Sequence, residues 1–123
     1  MLSSLPEDRT DMSDGRLPTE TWIKAHIHRL NIEGIAAVVV RRGEAMGGSL
    51  ILKLNQRDLG CRVLTQARTA EGALGWLAAF EGRLVEESEA DSYIARATKR
   101  DPDLWVIEID DRAGRHYFEG KVM

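Results

Sequence analysis

Pro102 constrains this chain more than any other residue. Proline has no amide hydrogen for a helix ladder and drives the preceding residue out of the α region, so a helix arriving at Asp101 must stop there. Upstream, Glu86, Glu87, Glu89 and Asp91 crowd the positive end of a predicted helix, and Arg96, Lys99 and Arg100 its negative end. Ser88 is the expected N-cap, with Asp91 completing a weak capping box, and Ala90, Tyr93, Ile94 and Ala97 form the buried stripe. Downstream, residues 104–110 change to a two-residue rhythm: Trp105, Ile107 and Ile109 share one strand face, Glu108 and Asp110 the other. Asp111-Arg112-Ala113-Gly114 then predicts a hairpin turn, with residues 115–119 returning as the partner strand.

The same periodicities organise the rest. Residues 19–31 predict a helix entered at Pro18 or Thr19 and ended by Gly34. Ile23, Ile27 and Leu30 form its stripe, Trp22 and His26 lie along one flank, and Lys24, His28 and Asn31 take the far side. Residues 35–42 are nearly continuous in apolar, mostly β-branched side chains, as in a central strand covered on both faces. After a turn at 43–48, residues 49–55 alternate, with Leu50, Leu52 and Leu54 opposite Ile51 and Lys53. A further turn at 57–60 leads to a third strand at 61–67, completing an antiparallel meander. Residues 70–83 stay open between helix and strand, because Leu74, Leu77 and Ala78 share a helical face while Trp76, Ala78 and Phe80 share a strand face. The expected fold is α+β, a mixed, largely antiparallel sheet of about five strands with two main helices packed on it. Trp22, Trp76 and Trp105 should anchor its core, with Ile23, Ile27, Leu30, Val38, Val40, Leu52, Ile94 and Ile107.

A length of 123 residues bounds the chain to one domain, expected at 18–123. Residues 1–17 read as a disordered leader: Pro6, Gly15, three serines and four acids stand among few large apolar groups. No apolar run approaches the roughly 18 residues of a membrane span, and the polar start lacks the apolar stretch of a signal peptide, which makes the cytoplasm the expected compartment. The lone Cys61 excludes an internal disulfide and has no companion at metal-ligand spacing, so it reads as a strand residue. A net charge of −3 argues against a dedicated nucleic-acid binder, although residues 41–68 carry six bases against two acids and residues 71–123 twelve acids against seven bases.

Three patterns invite chemistry. Pro102-Asp103 followed by Glu119-Gly120-Lys121 is a literal instance of the Pro-Asp … Asp/Glu-x-Lys pattern of a metal-dependent nuclease superfamily. There two carboxylates on adjacent strands hold a divalent metal and the lysine assists the attacking water, a role open here to Asp103, Glu119 and Lys121 if the hairpin forms. Asp103 is also an ordinary turn residue after a helix, and Lys121 lies close to the end of the chain. Glu108 and Asp110 project from one strand face at a spacing that suits a metal if a third ligand converges, and otherwise form a solvated face. Arg41, Lys53 and Arg62 would let a sheet face contact phosphates. No aromatic side chain occurs between residues 35 and 68 to stack a base, which favours a charged sheet edge instead. His26 and His28, two apart on a helix, diverge and make no metal pair; His26 reads as a half-buried packing residue and His116 as a polar strand residue.

Leu17-Pro18-Thr19-x-x-Trp22, Val40-Arg41-Arg42-Gly43, Glu89-Ala90-Asp91-x-Tyr93-Ile94-Ala95-Arg96 and Asp101-Pro102-Asp103-Leu104-Trp105-Val106-Ile107-Glu108, followed by Arg115-His116, resemble one family of short, uncharacterised alphaproteobacterial proteins, a domain of unknown function. The resemblance runs from Leu17 to Tyr117 and implies no reaction, cofactor or catalytic residue. No nucleophile, base and orienting group assemble in the sequence, so the expectation is a non-catalytic interaction module without a cofactor, self-associating through a strand edge or binding another protein. Deleting residues 1–16 should leave the thermal midpoint unchanged; a drop of several degrees in a melting curve would mean that the leader docks on the body.

Overall fold

The computed structural model of the protein describes residues 17–123, so the expected leader lies, apart from Leu17, outside the described residues. The chain runs α1 (Thr19–Ile32), β1 (Ala36–Arg41), β2 (Leu50–Asn55), β3 (Cys61–Arg68), β4 (Leu74–Ala78), α2 (Glu87–Arg100), β5 (Trp105–Asp110) and β6 (Lys121–Val122), with 3-10 turns at Arg57–Leu59 and Ala79–Gly82. The six strands form one sheet in the order β1-β5-β2-β3-β4-β6. The β1–β5, β2–β3 and β3–β4 pairs are antiparallel, and β2–β5 and β4–β6 are parallel. The fold is α+β with a mixed, mostly antiparallel sheet, one strand larger than expected.

Alternation along the strands builds two cores, one on each side of the sheet. On the α1 side, Leu50, Leu52 and Leu54 of β2 and Trp105, Ile107 and Ile109 of β5 pack with Ile23, Leu30, Leu64, Trp76 and Phe118. On the α2 side, Ile51, Val63, Cys61 and Val106 pack with Ala90, Ala97, Val85 and Leu104. Pro102 acts as expected: α2 ends at Arg100, and Asp101 leaves the helix at φ −134°, ψ 92°. Residues 70–83 resolve into β4 and a 3-10 turn, with Trp76 fully buried on the strand.

The structure corrects several expectations. Residues 35–42 are not a central strand, and β1, β2 and β3 are not a meander, because β5 inserts between β1 and β2 and leaves β1 at the edge. Val38 and Val40 are therefore not core residues; each is 56% exposed. Ser88 does not cap α2. The helix starts at Glu87, and the Glu86 carbonyl accepts from the amides of Glu89 and Ala90, while Asp91 turns to Lys53. Finally, residues 115–119 form no hairpin strand beside β5, and His116 lies in no strand. The turn itself forms, with the Gly114 amide donating to the Asp111 carbonyl at 2.8 Å. The chain then crosses the α1 side, where Phe118 packs edge-on against Trp22 and Trp76, and joins the outer edge of β4 as β6. Burial of that ring offsets what a solvent-exposed hairpin would have gained.

A tight junction seats the start of β5. A Cβ on Gly43 or Gly48 would lie 2.2 or 2.1 Å from the Asp103 carbonyl oxygen, so only glycine lets this loop close over the turn. The Glu44 amide donates to that carbonyl at 3.0 Å, and the Trp105 indole N–H donates to the Glu44 carbonyl at 2.8 Å. Trp105→Ala removes both the ring from the core and this hydrogen bond, and should cost about 3–5 kcal/mol in denaturant melts. A loss below about 1 kcal/mol would show that the ring carries little of the fold.

Candidate functional site

Lys53 dominates the α2 side. Its strand position, level with Val63 of β3 and Glu108 of β5, aims it beneath α2, and the residue is only 5% exposed. The ammonium donates to Glu87 and Asp91 of α2 at 2.8 Å each and stands 3.7 Å from Glu108. Burial works against its charge, but the hydrogen bonds to Asp91 and Glu87 and the field of Glu108 outweigh it and raise its pKa above the ordinary lysine value. Glu108 also accepts from the Asn55 amide at 2.9 Å, and Asp110 from Arg57 Nε at 2.8 Å. The carboxylates expected to hold a metal are thus occupied by the protein's own cations and amide. Among the described residues, no group of three or more His, Cys, Asp or Glu side chains is arranged to hold a metal ion.

Beyond α2, none of the described residues covers this face of the sheet at β1. The Trp105 and Asp111 amides donate to the Ser49 and Asn55 carbonyls at the two ends of β2, so the odd-numbered residues of β5 face β2 and the even-numbered ones face β1. Their partners in β1 are Ala36, Val38 and Arg41, which leaves Ala37 and Val39 directing their peptide groups outward. The Ala37 N–H is taken by Asn31 Oδ1 at 3.2 Å, and a bulge between Val39 and Arg41 ends the regular edge. Among the described residues, the Ala37 carbonyl and the N–H and carbonyl of Val39 stay without a strand partner. A shallow cavity of about 360 Å³ opens there, lined by Asn31, Ala36, Ala37, Val38, Glu108 and Asp110. Ile32, next to Asn31, is 72% exposed.

The other candidate residues lie apart. Asp103 is exposed in the turn before β5, whereas Glu119 and Lys121 sit at the far edge, with Lys121 paired to Gly75 of β4. Four strand spacings, roughly 19 Å, separate β5 from β6. The bases expected to share one face are also divided. Lys53 is buried under α2, Arg62 is level with Leu54 on the α1 side, and Arg41 donates to the Pro102 and Leu104 carbonyls at 2.9 and 2.7 Å. His26 is a half-buried packing residue as expected, stacked on Phe118 at 4.8 Å, and burial lowers its pKa. Cys61 is a buried strand thiol whose pKa burial raises, the reverse of an activated nucleophile.

Asp111, which the sequence marks only as a turn residue, organises the C-terminal crossing. Its carboxylate accepts from the Ala113 amide, the Arg115 amide and guanidinium, and the Tyr117 hydroxyl, at 3.0–3.4 Å. An Asp followed by Gly three residues later and Arg at the fourth is the signal that marks it. Asn31, which covers the β1 edge, gives no such signal, because the side-chain contact is made only after α1 and β1 fold together.

Among the described residues, two helices and a mixed sheet form a body whose polar clusters are internally paired and whose β1 edge has no neighbouring strand. Residues 17–119 match the family described as Protein of unknown function (DUF1491), and the chain belongs to that family. It is similar to a DUF1491 family protein from Caulobacter crescentus CB15, whose crystal structure superposes with a TM-score of 0.76 at 35% identity over 87% of this chain and 99% of that one. The NMR structure of a DUF1491 family protein from the same organism gives 0.73 at 35% identity over 88% and 97%. A protein from A. tumefaciens, known from its solution structure, gives 0.63 at 25% identity over 77% and 86%. No curated protein matches the chain.

Burial opposes ionisation of Asp111, yet the Arg115, Tyr117 and Ala113 hydrogen bonds prevail and bring its pKa from 3.8 down to about 2. A depressed carboxylate pKa stabilises the fold above the unfolded value and loses that contribution as pH falls through the folded one. Stability should therefore drop by about 2 kcal/mol between roughly pH 5 and pH 2 through this group. Asp111→Asn should be less stable at neutral pH and flatter across that window in urea melts; parallel curves for the two proteins would remove Asp111 from the acid response.

Proposed function

We propose that this protein is a non-catalytic interaction module of the cytoplasm that receives a protein partner at the β1 edge. The observation that carries the reading is Val38. A large apolar side chain stands more than half exposed on an edge strand, above a cavity and beside peptide groups that have no strand partner among the described residues. The chemistry elsewhere is spent inside the fold: Lys53, Glu108, Asp110 and Asp111 all have intramolecular partners. No helix of the described residues is long and apolar enough to cross a membrane. A single buried cysteine suits a reducing compartment.

The nuclease reading draws on Asp103, Glu119 and Lys121 and would need them to meet across the sheet. A nucleic-acid contact without chemistry would need Arg41, Lys53 and Arg62 on a common face. Tagged protein recovered from native cells should retain a partner that Val38→Lys abolishes and that Leu77→Lys, an exposed apolar position on β4, does not. A complex indifferent to Val38→Lys would reject the β1 surface. Metal-dependent cleavage lost in Asp103→Asn would replace the reading with an enzyme, and salt-sensitive nucleic-acid binding without metal would replace it with a charge-driven contact.

A further inference from the structure

We propose that the segment crossing the α1 side is a pH-operated latch: protonation of His116 frees residues 118–123, lifting Phe118 from the core and β6 from the β4 edge, while residues 111–117 stay anchored. One hydrogen bond carries this. The Phe118 amide donates to His116 Nδ1 at 3.0 Å. A backbone N–H can only donate, so Nδ1 must keep its lone pair and the neutral ring carries its proton on Nε2. An imidazolium has an N–H at both positions, which turns that bond into a repulsion between two donors. The residue whose amide would be orphaned is the one whose ring closes the α1-side core, 6% exposed against Trp22 and Trp76.

The surroundings of His116 oppose the charge. Burial disfavours it and brings the pKa below the ordinary histidine value of 6.5; among the described residues, a backbone contact with Gly120 works the other way. The tilted Trp76 ring at 5.7 Å gives an imidazolium some attraction, less than the amide bond it would lose. His26, stacked on Phe118 at 4.8 Å, does not share the role. Burial and Arg29 oppose its charge, Glu119 and the Trp22 backbone favour it, and among the described residues it makes no hydrogen bond to the crossing.

The crossing is fastened at two places that respond to acid differently. Asp111 holds the near end through Arg115 and Tyr117, and Arg29 donates to the Tyr117 carbonyl at 3.2 Å. The Asp111 carboxyl, with its pKa at about 2, stays ionised through the range in which a histidine titrates. The far end rests on Phe118, on the Trp76 indole N–H donating to the Glu119 carbonyl at 2.8 Å, and on β6, where the Met123 amide donates to the Trp76 carbonyl at 2.8 Å. Between the two, Tyr117 is held at φ +64°, a left-handed conformation that costs energy for a residue with a side chain, so opening there relieves strain. Because the folded pKa of His116 is depressed, the closed form keeps its full advantage above the unfolded value of 6.5 and loses it as the pH falls below that value.

In the full-length protein, hydrogen-exchange protection of the Trp76 indole N–H, corrected for the intrinsic rate, should fall about fivefold or more from pH 7.5 to pH 5.5, since each pH unit below the ordinary histidine value contributes at most about a factor of ten. The Met123 amide should follow, while the Trp105 indole N–H and the amides of β2 hold theirs. His116→Asn keeps an acceptor near the Nδ1 position and removes the titrating ring, so the same comparison should change by less than about twofold. Trp76 protection that ignores pH, or that falls equally in His116→Asn, overturns the latch. A fall shared by Trp105 and β2 is global unfolding and overturns it too. Should His116→Asn fail to fold, the parent protein decides: the loss at Trp76 must track the protonation of the His116 imidazole in an NMR titration, and a loss that tracks His26 instead overturns the proposal.

Discussion

The parallel pairing of β5 with β2 is the constraint from which the rest of the structure follows. It runs the full six residues, from Leu50 beside Trp105 to Asn55 beside Asp110. Parallel neighbours cannot be joined by a tight turn, so the chain must travel through β3, β4 and α2 before β5 can return. That detour carries α2 to the face opposite α1. The register then sorts the side chains: Leu50, Leu52 and Leu54 stand level with Trp105, Ile107 and Ile109 toward α1, while Lys53 and Asn55 stand level with Glu108 and Asp110 on the other side. A slip of one residue would exchange the two sets and bury carboxylates under α1. The junction of Gly43 and Gly48 with the Asp103 carbonyl holds one end of that register, and the Asp111 amide on the Asn55 carbonyl holds the other.

Given that register, a positive charge at position 53 is placed where it needs three acids. Two come from α2 and one from β5, so the ammonium ties the helix to the sheet at two strands. A buried ion pair gains little over well-packed apolar side chains, but it leaves a large penalty if either partner is misplaced. Its value is therefore in orientation, fixing which turn of α2 lies over β2. Because the lysine pKa is raised in the fold, this contribution is complete at neutral pH and is lost only at strongly alkaline pH.

Local rules made much of this legible. Pro102 marks the end of α2 in the sequence, and the two-residue alternation of β2 and β5 correctly divides their faces, because these depend on neighbours along the chain. Strand order was not legible, since nothing near residues 35–42 announces that a strand seventy residues later will insert beside it. The continuous valines of β1 suggested double burial. In the fold α2 covers β2 and β3 rather than the edge, and the valines alternate between a covered face and an open one. The candidate site suffered the same limitation. Lys53 resembles one of a set of surface bases in the sequence because its acids are thirty-four, thirty-eight and fifty-five positions away, and Asp103 and Glu119 resemble hairpin neighbours because nothing beside Phe118 in the sequence marks it as a core residue.

The two edges of the sheet are finished differently, and the difference bears on use. β6 is two residues long, exposed, and carries Lys121, the kind of short charged edge that discourages pairing. β1 is six residues long, lacks proline and lysine, and among the described residues is blunted by the Asn31 side chain and the bulge. Among the described residues, those two devices reduce the edge to a window one residue wide, centred on Val39. Such a window excludes long-range strand addition, which needs a run of alternate donors and acceptors. It still admits a partner that brings one matched donor and acceptor with apolar side chains on either side.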